Sequence, residues 1–391
     1  MARLAQLSKI VTHNWAGSMG ERSETSPNVF FGETIVKSYC KGLVVDKQLV
    51  LAAYENWLKA DSGRNNNWRI DEEYGSIDNL VNEIVNEVEM RSLKLRPIYY
   101  YFETERSNGK VRLIGQQSVK QQILDYVLVT ALEPMLTAKI GFYQVASIPN
   151  KGPIFGAKKV QKWLYNSKYW IHADVRKCYE SIPHHVVINI FVKYVKSDDL
   201  LYICRTILST YGNGLDIGSF FSLKMAQLVI SFGYHYLESL HKKRRNATIP
   251  LVKHQIWYAD DLYIFSNDKR NLKTAMNSLS SYFETEFGIE FKAWKICTIS
   301  DEEPVDIAGY VCRKDRITLR SSLYLRIRRA YTSYERNPTV KKARTVCSYW
   351  GYLKHSDSHK AIKKNGYDAT FRKARRQISH YDKEVNANAS N

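Results

Sequence analysis

Two adjacent carboxylates, Asp260 and Asp261, stand between apolar residues: Ile256, Trp257 and Tyr258 before them, Leu262, Tyr263, Ile264 and Phe265 after. Those flanks predict two buried strands joined by a tight turn that carries both charges. Like charges held together out of water repel and raise each other's pKa unless a cation joins them. A hard divalent ion resolves this, because Mg²⁺ takes oxygen ligands and favours one or two carboxylates plus substrate phosphates. Adjacent aspartates also occur in plain surface loops, and Ser197-Asp-Asp199 reads as such a pair at a helix start. A third carboxylate closes another β-like run, Trp170-Ile-His-Ala-Asp174, with Tyr179 five residues later. On its own Asp174 also reads as a helix N-cap. At the end of a strand facing the Asp260-Asp261 turn, it completes a set able to hold two metals roughly 4 Å apart, which is the chemistry of phosphoryl transfer.

The elements around these residues follow from periodicity and turn residues. A helix is predicted from about Val45 to Leu58, and another carries Ile77, Leu80, Val81, Ile84, Val85 and Val88 behind a cap at Ser76. Between them Asp61 to Ser76 is polar and turn-rich and is predicted to be a loop. Residues 98–105 and Lys110 to Gly115 form two strand-like runs around a Ser-Asn-Gly-Lys turn. An amphipathic helix follows from Val119, and Asp306 to Arg320 reads as a hairpin. From Ser321 the chain is helical, basic and aromatic.

The order of these motifs resembles the palm of reverse transcriptases. Tyr258-Ala-Asp-Asp261 is similar to their Y-x-D-D box, and Asp174 to Tyr179 to their D-x-x-x-x-[FY] motif. The resemblance implies catalytic Asp174, Asp260 and Asp261, with Val175 joining them as a metal ligand. It also implies that Tyr179 gates against the ribose 2′-hydroxyl and so selects deoxynucleotides. Lys110-Val-Arg112-Leu-Ile-Gly115 resembles the fingers hairpin, whose Lys110 and Arg112 would clamp the triphosphate. Ile217-Gly218-Ser-Phe-Phe-Ser222 is similar to the segment that lines the nascent base pair, with Ile217 and Leu223 departing from the Gln and Pro of group II intron enzymes. Its aliphatic-Gly-x-x-x-Ser form resembles diversity-generating retroelements; a tight structural turn is the plainer reading. Gly288 to Lys295 resembles the motif whose lysine lies near the leaving pyrophosphate, Lys295 being the first candidate and Lys292 the second. Asp306-Ile-Ala-Gly309-Tyr310 resembles the primer grip, so Tyr258, Gly309 and Tyr310 are expected at nucleic acid. Ser348 to Asp357 resembles the thumb of several unclassified bacterial enzymes.

Composition agrees with that direction. The 391 residues carry 58 Lys and Arg against 39 Asp and Glu, a formal charge of +19. Residues 320–391 hold 17 basic and 5 acidic side chains, a net +12 that includes Arg372, Lys373, Arg375 and Arg376. Such asymmetry suits one polyanion-binding surface, although a solvated basic face has the same composition. The six cysteines show no zinc spacing, no stretch is apolar enough to span a bilayer, and the start lacks a leader's apolar run, so a cytoplasmic protein is expected. The Asn246 sequon is then incidental.

The expected fold class is α+β: a right-hand polymerase with fingers, an antiparallel palm and a short helical thumb. Residues 1–94 form an N-terminal helical extension, 95–319 the fingers and palm, and 320–391 the thumb. The resemblance implies two Mg²⁺ ions (Mn²⁺ able to replace them), dNTPs, an RNA template of dedicated non-coding type and a DNA product. No nuclease or integrase segment is recognised after the thumb, so an accessory protein or a second copy of the chain is a further expected partner, with no membrane. Antiphage defence and a diversity-generating retroelement are the two settings. Rival readings are a maturase-like RNA scaffold and a template-independent or protein-primed polymerase, the latter suggested by 27 tyrosines.

Overall fold

The computed structural model describes residues 37–104, 109–245 and 247–389, without the side chains of 386–389. The first thirty-six residues of the expected extension, part of the turn after Thr104 and the Asn246 sequon lie outside it. In chain order the strands are β1 (Tyr99–Thr104), β2 (Val111–Gln116), β3 (Tyr169–Asp174), β4 (His241–Arg244), β5 (Ala247–Pro250), β6 (His254–Tyr258), β7 (Asp261–Ser266), β8 (Lys295–Thr298), β9 (Val305–Ile307), β10 (Tyr310–Cys312) and β11 (Ile317–Leu319). Helices fill most of the remaining chain. Two compact units arise: Met1–Gln144 with Ala173–Val252 and Lys273–Trp294, and Val145–His172 with Lys253–Leu272 and Lys295–Asn391.

The first unit is built on the helix Val119–Lys139, whose Ile123, Leu124, Val127, Leu128, Leu132 and Met135 are buried. Ser118 caps it by accepting from Gln121 N at 3.3 Å. The helix Lys47–Leu58 packs there, its Trp57 fully buried and donating to Gln122 Oε1 at 3.0 Å. Ser76 caps Ile77–Glu89 through Asn79 N at 3.2 Å, and Ser197 caps Asp198–Ser209 through Leu200 N at 3.3 Å. The hairpin β1–β2 is antiparallel, with Glu103 opposite Arg112.

One expectation is corrected here. The polar stretch from Asp61 is not a loop but two short helices, Asp61–Asn66 and Trp68–Tyr74. Ion pairs at helical spacing, Arg64 with Asp61 and Arg69 with Glu73, support it, and a single apolar anchor, Ile70, is buried. Too few apolar residues mark the period for composition to reveal it.

The second unit carries a four-stranded sheet in the order β6-β7-β3-β8. β6 and β7 pair antiparallel from His254↔Phe265 to Tyr258↔Asp261, and β3 pairs antiparallel with β8. β9, β10 and β11 form a meander, so the expected single hairpin after Asp306 is two consecutive ones. The basic helices Ser321–Arg336, Val340–Lys354 and Tyr367–Ala389 enclose a small core of Leu323, Ile327, Tyr331, Val346, Leu353 and Ala374. Trp350 stacks on Phe371 at 4.6 Å beside it. Among the described residues no helix is long and apolar enough to cross a membrane.

Candidate active site

In the second unit Ala259 and Asp260 form a two-residue turn closed by the Tyr258↔Asp261 pair. Ala259 has φ +55°, a left-handed conformation that costs a non-glycine residue roughly 1–2 kcal/mol. Ile256, Trp257, Leu262, Ile264 and Phe265 are fully buried, so the strands are held from below while both aspartates remain partly exposed. Asp261 Oδ1 lies 2.8 Å from His172 Nε2, and the His172 ring stacks on Tyr263 at 4.7 Å. The Tyr263 hydroxyl donates to the Asp306 carbonyl at 2.6 Å, and burial raises its pKa well above the ordinary value. Arg320 grips the Asp306 carboxylate with Nε at 2.6 Å and Nη2 at 2.7 Å. A continuous set of contacts thus links the Asp261 carboxylate to the β9–β10 hairpin.

That hairpin turns at Ala308 (φ +50°) and Gly309 (φ +91°), the paired positive φ of a type I′ turn. Tyr310 does not present its ring: it is 1 % exposed and stacks on Tyr352 at 5.5 Å, so the backbone of 308–309 is the accessible part. Tyr258 is half-buried, its pKa raised by burial and then by Tyr352 and Asp261. Lys295, exposed on β8, pairs with Glu303 at 2.8 Å. Arg372, Lys373, Arg375 and Arg376 are exposed around the buried Ala374; Arg372 also pairs with Asp368 at 2.8 Å.

In the first unit Asp174 is the last residue of β3, and Val175 bridges to Phe291. Arg176 N donates to Glu290 O at 2.8 Å and Lys292 N to Asp174 O at 2.8 Å. This places the Lys292 ammonium 2.9 Å from Asp174 Oδ2 in a hydrogen bond; it lies 2.8 Å from Oδ1 without a hydrogen-bonding angle. Asp174 caps nothing, since the short helix Cys178–Ser181 starts after Lys177. Half-buried Tyr179 lies on that helix, and its carbonyl accepts from Leu215 N at 2.8 Å.

Gly218 sits where no side chain fits: φ is +119°, and a Cβ would come 2.6 Å from the Gly115 carbonyl oxygen. Gly115 N in turn donates to Ile217 O at 2.9 Å, which ties the β2 strand carrying Arg112 to the Ile217-Gly218 loop. Lys110 and Arg112 are exposed at the turn end of that hairpin. A cavity of ≈ 390 Å³ opens beside Gly115 and Gly218, lined also by Tyr101, Gln117, Tyr126 and Phe220 among others. Its floor is Asp125, fully buried, which accepts from Ser219 Oγ at 2.6 Å, Phe221 N at 3.2 Å and Gln117 Nε2 at 3.3 Å. Burial pushes the Asp125 carboxyl up to about 7 against those hydrogen bonds. Gln121 and Gln122 act as braces here, donating to Thr210 Oγ1 and Gln117 O.

Among the described residues no three His, Cys, Asp or Glu side chains are gathered closely enough to hold a metal ion. Asp174 and Asp261 are instead each engaged by a basic side chain of their own unit. Their carboxylate oxygens are nonetheless the donor type that Mg²⁺ takes. Sequence reading passed over His172 and the Arg320–Asp306 clamp. The one available signal for His172 was its place two residues before Asp174, on the same face of β3.

A tight strand turn bearing paired aspartates is the arrangement of a nucleic-acid polymerase palm. Residues 104–312 match the family "Reverse transcriptase (RNA-dependent DNA polymerase)", and the chain belongs to that family. The family's fold is the right-hand polymerase, in keeping with the mixture of helices and antiparallel sheet. The chain is similar to the Retron Ec73 reverse transcriptase of Escherichia coli, 24% identical over 279 residues, covering 68% of this chain and 85% of that one. It is also 24% identical over 206 residues to a COX1/OXI3 intron 2 protein of Saccharomyces cerevisiae, and over 201 residues to a 91 kDa cob-intron protein of Schizosaccharomyces pombe. These matches cover 51% and 50% of this chain but only 23% and 24% of the two intron-encoded relatives.

Proposed function

We propose that the chain is an RNA-directed DNA polymerase that copies a cognate non-coding RNA into cDNA, in antiphage defence or in a diversity-generating retroelement. The observation that carries this reading is the family match over residues 104–312 together with the Asp260-Asp261 turn it contains. Asp174, Asp260 and Asp261, with the Val175 carbonyl, would hold two Mg²⁺ ions. When bound, these supply charge neutralisation at the triphosphate and a more acidic primer hydroxyl. Lys292 and His172 hold the carboxylates of Asp174 and Asp261 in place.

The remaining side chains orient and select. Lys110 and Arg112 clamp the triphosphate, and Tyr179 excludes a 2′-hydroxyl. Ile217 and Gly218 let the nascent pair approach the backbone. Lys292 or Lys295 meets the leaving pyrophosphate. Tyr258 and the Gly309-Tyr310 backbone position the primer end, while the basic helices after Arg320 hold the duplex by its phosphates. In this reading residues 95–319 are fingers and palm, and 320–391 are the thumb.

The test is incorporation of dNTPs with sequencing of the product, with and without RNA that co-purifies with the protein. cDNA complementary to that RNA, lost on ribonuclease treatment, is the expected result. Product of unchanged sequence without RNA would establish the template-independent or protein-primed alternative, and RNA binding without product the scaffold one.

A further inference from the structure

Outside the residues given roles above, the first unit gathers cations around the C-terminal end of the helix Phe220–Ser239. Phe232 of that helix stacks on Tyr194 at 6.4 Å. The Tyr194 ring carries Lys139 at 4.6 Å and Lys193 at 5.5 Å. One turn on, His235 Nε2 lies 2.8 Å from the Lys139 carbonyl and Nδ1 3.0 Å from Glu238. Tyr194 is 4 % exposed, so its ring is a seat that fixes two ammonium groups and not a platform for bases.

Two residues past the helix end, β4 begins the hairpin His241-Lys-Lys-Arg-Arg245. Its register runs from His241↔Pro250 to Arg244↔Ala247, and Leu251 N closes its base on Leu240 O at 2.9 Å. The charges therefore stand on a braced element. Lys243, Arg244 and Arg245 are exposed, and none pairs with a carboxylate among the described residues. Residues 239–259 contain no Asp or Glu at all. At about 1.5 Å of helix rise per residue, Phe232 lies only roughly 10 Å from the helix end, so the lysine pair and the hairpin belong to one surface.

Electrostatics says what such a surface needs. Burial, and then the neighbouring Lys193, holds the Lys139 pKa below its ordinary value. Of the carboxylates at its edge, Glu238 faces His235 and Glu286 acts on Tyr282, which stacks on Tyr236. Cations held together at this cost are relieved by a polyanion, and a rigid ridge of them matches regularly spaced phosphates better than flexible side chains would. The Tyr194 ring between the two lysines is buried and offers no face to an unstacked base, while the row of cations on the braced β4 suits the regularly spaced phosphates of a duplex.

We propose that Lys139 and Lys193 on Tyr194, together with the Lys242–Arg245 hairpin, bind the phosphate backbone of a double-stranded segment of RNA that is not itself being copied. The proposal extends the polymerase reading by separating where the RNA is held from where it is copied. The test compares full-length wild type with a Lys243→Glu/Arg244→Glu/Arg245→Glu variant and with Lys193→Glu, each checked for an unchanged thermal melt. The probe is an RNA hairpin of about 20 base pairs, longer than the ~16 that a duplex-binding module spans. The triple variant is expected to bind it at least about tenfold more weakly, with the log–log salt slope reduced by roughly two to three. Lys193→Glu should weaken binding in the same direction. Single-nucleotide addition on a short DNA-primed homopolymer RNA should stay within about twofold of wild type for both. Unchanged affinity and slope would overturn the proposal, as would loss of binding to phosphatidylserine vesicles with RNA binding retained. A parallel loss of single-nucleotide addition would place the hairpin at the reaction centre and also overturn it. A wild type that adds no nucleotide defeats the polymerase reading while leaving the RNA-binding comparison decisive.

Discussion

Lys292 holds Asp174 from two directions: its backbone N–H donates to the Asp174 carbonyl at 2.8 Å, and its ammonium meets the carboxylate at 2.9 Å. Lys295, three residues later, turns to Glu303 instead. Of the two lysines proposed to meet the leaving pyrophosphate, Lys292 is therefore the one in contact with a proposed catalytic carboxylate. Lys292→Ala should lower the single-turnover incorporation rate by at least about a hundredfold, the lower end of the 10²–10⁴ ascribed to a positioned general acid. Lys295→Ala should stay within about twofold, since it removes only an exposed ion pair. The reverse order of effects would return the role to Lys295.

The carboxylates give a sharper expectation. Asp260→Ala or Asp174→Ala should abolish incorporation while RNA affinity stays near wild type, because neither side chain supplies positive charge. Radiolabelled dNTP incorporation alongside filter binding measures both. Incorporation that persists in Asp260→Ala would end the polymerase assignment.

Tyr179 sits half-buried on the turn of helix after Asp174, fastened through its carbonyl to Leu215. Tyr179→Ala should narrow discrimination against ribonucleotides by at least about tenfold, or about 1.4 kcal/mol of differential transition-state binding. The ratio of incorporation efficiencies for dNTP and rNTP decides it. An unchanged ratio would leave Tyr179 as a packing residue.

What the sequence made legible was local. The caps at Ser76 and Ser197, the helix ending at Leu58 and the Tyr258↔Asp261 turn each rest on residues within a few positions of one another. The contacts that finish the candidate site are long-range: His172 with Asp261 is 89 residues apart, Asp174 with Lys292 118, and Asp125 with Ser219 94. No periodicity carries that information. Resemblance supplied the aspartates but not their partners, so His172 and the Arg320–Asp306 clamp went unseen. Tyr310 shows the opposite failure, because a motif position gives no sign of whether a ring points out or, as here, onto Tyr352.

Asp125 makes stability depend on pH. Its folded carboxyl titrates at about 7, against 3.8 as the ordinary value, because burial disfavours the charge. Between those limits the native state keeps a proton that the unfolded chain has released, so this group's contribution falls as pH rises from about 4 to 7. Asp125→Asn keeps an acceptor for Phe221 N and has no charge to bury. Relative to wild type, the variant should gain stability across that window, by a few kcal/mol at most. Denaturant melts at both ends measure it, and a wild-type-minus-variant difference that is flat with pH would show Asp125 to be ionised throughout.

The basic helix Tyr367–Ala389 supplies the last expectation. Arg372, Lys373, Arg375 and Arg376 point outward around Ala374, which packs inward. Arg372 is shared with Asp368, and Arg375 lies 5.9 Å from the Phe371 ring, so both are oriented without being neutralised deep in the protein. Exposed ion pairs of this kind are worth about 0–1 kcal/mol, little enough for a phosphate to displace Asp368. Each phosphate contact contributes about 0.7 to 0.9 to the slope of log affinity against log salt. Replacing all four residues with Gln should flatten that slope by about two to three if most of them touch the backbone. The choice among the four bases should not change, because phosphate contacts position a strand without reading it. If the helix holds the duplex and the strand-end carboxylates serve the chemistry, as proposed, processivity should fall more than single-nucleotide addition. Salt-titrated binding of wild type and quadruple variant to a primer–template duplex measures the slope. Identical slopes would make this face solvated or a protein-docking surface, and duplex holding would then have to fall to Arg320–Lys354.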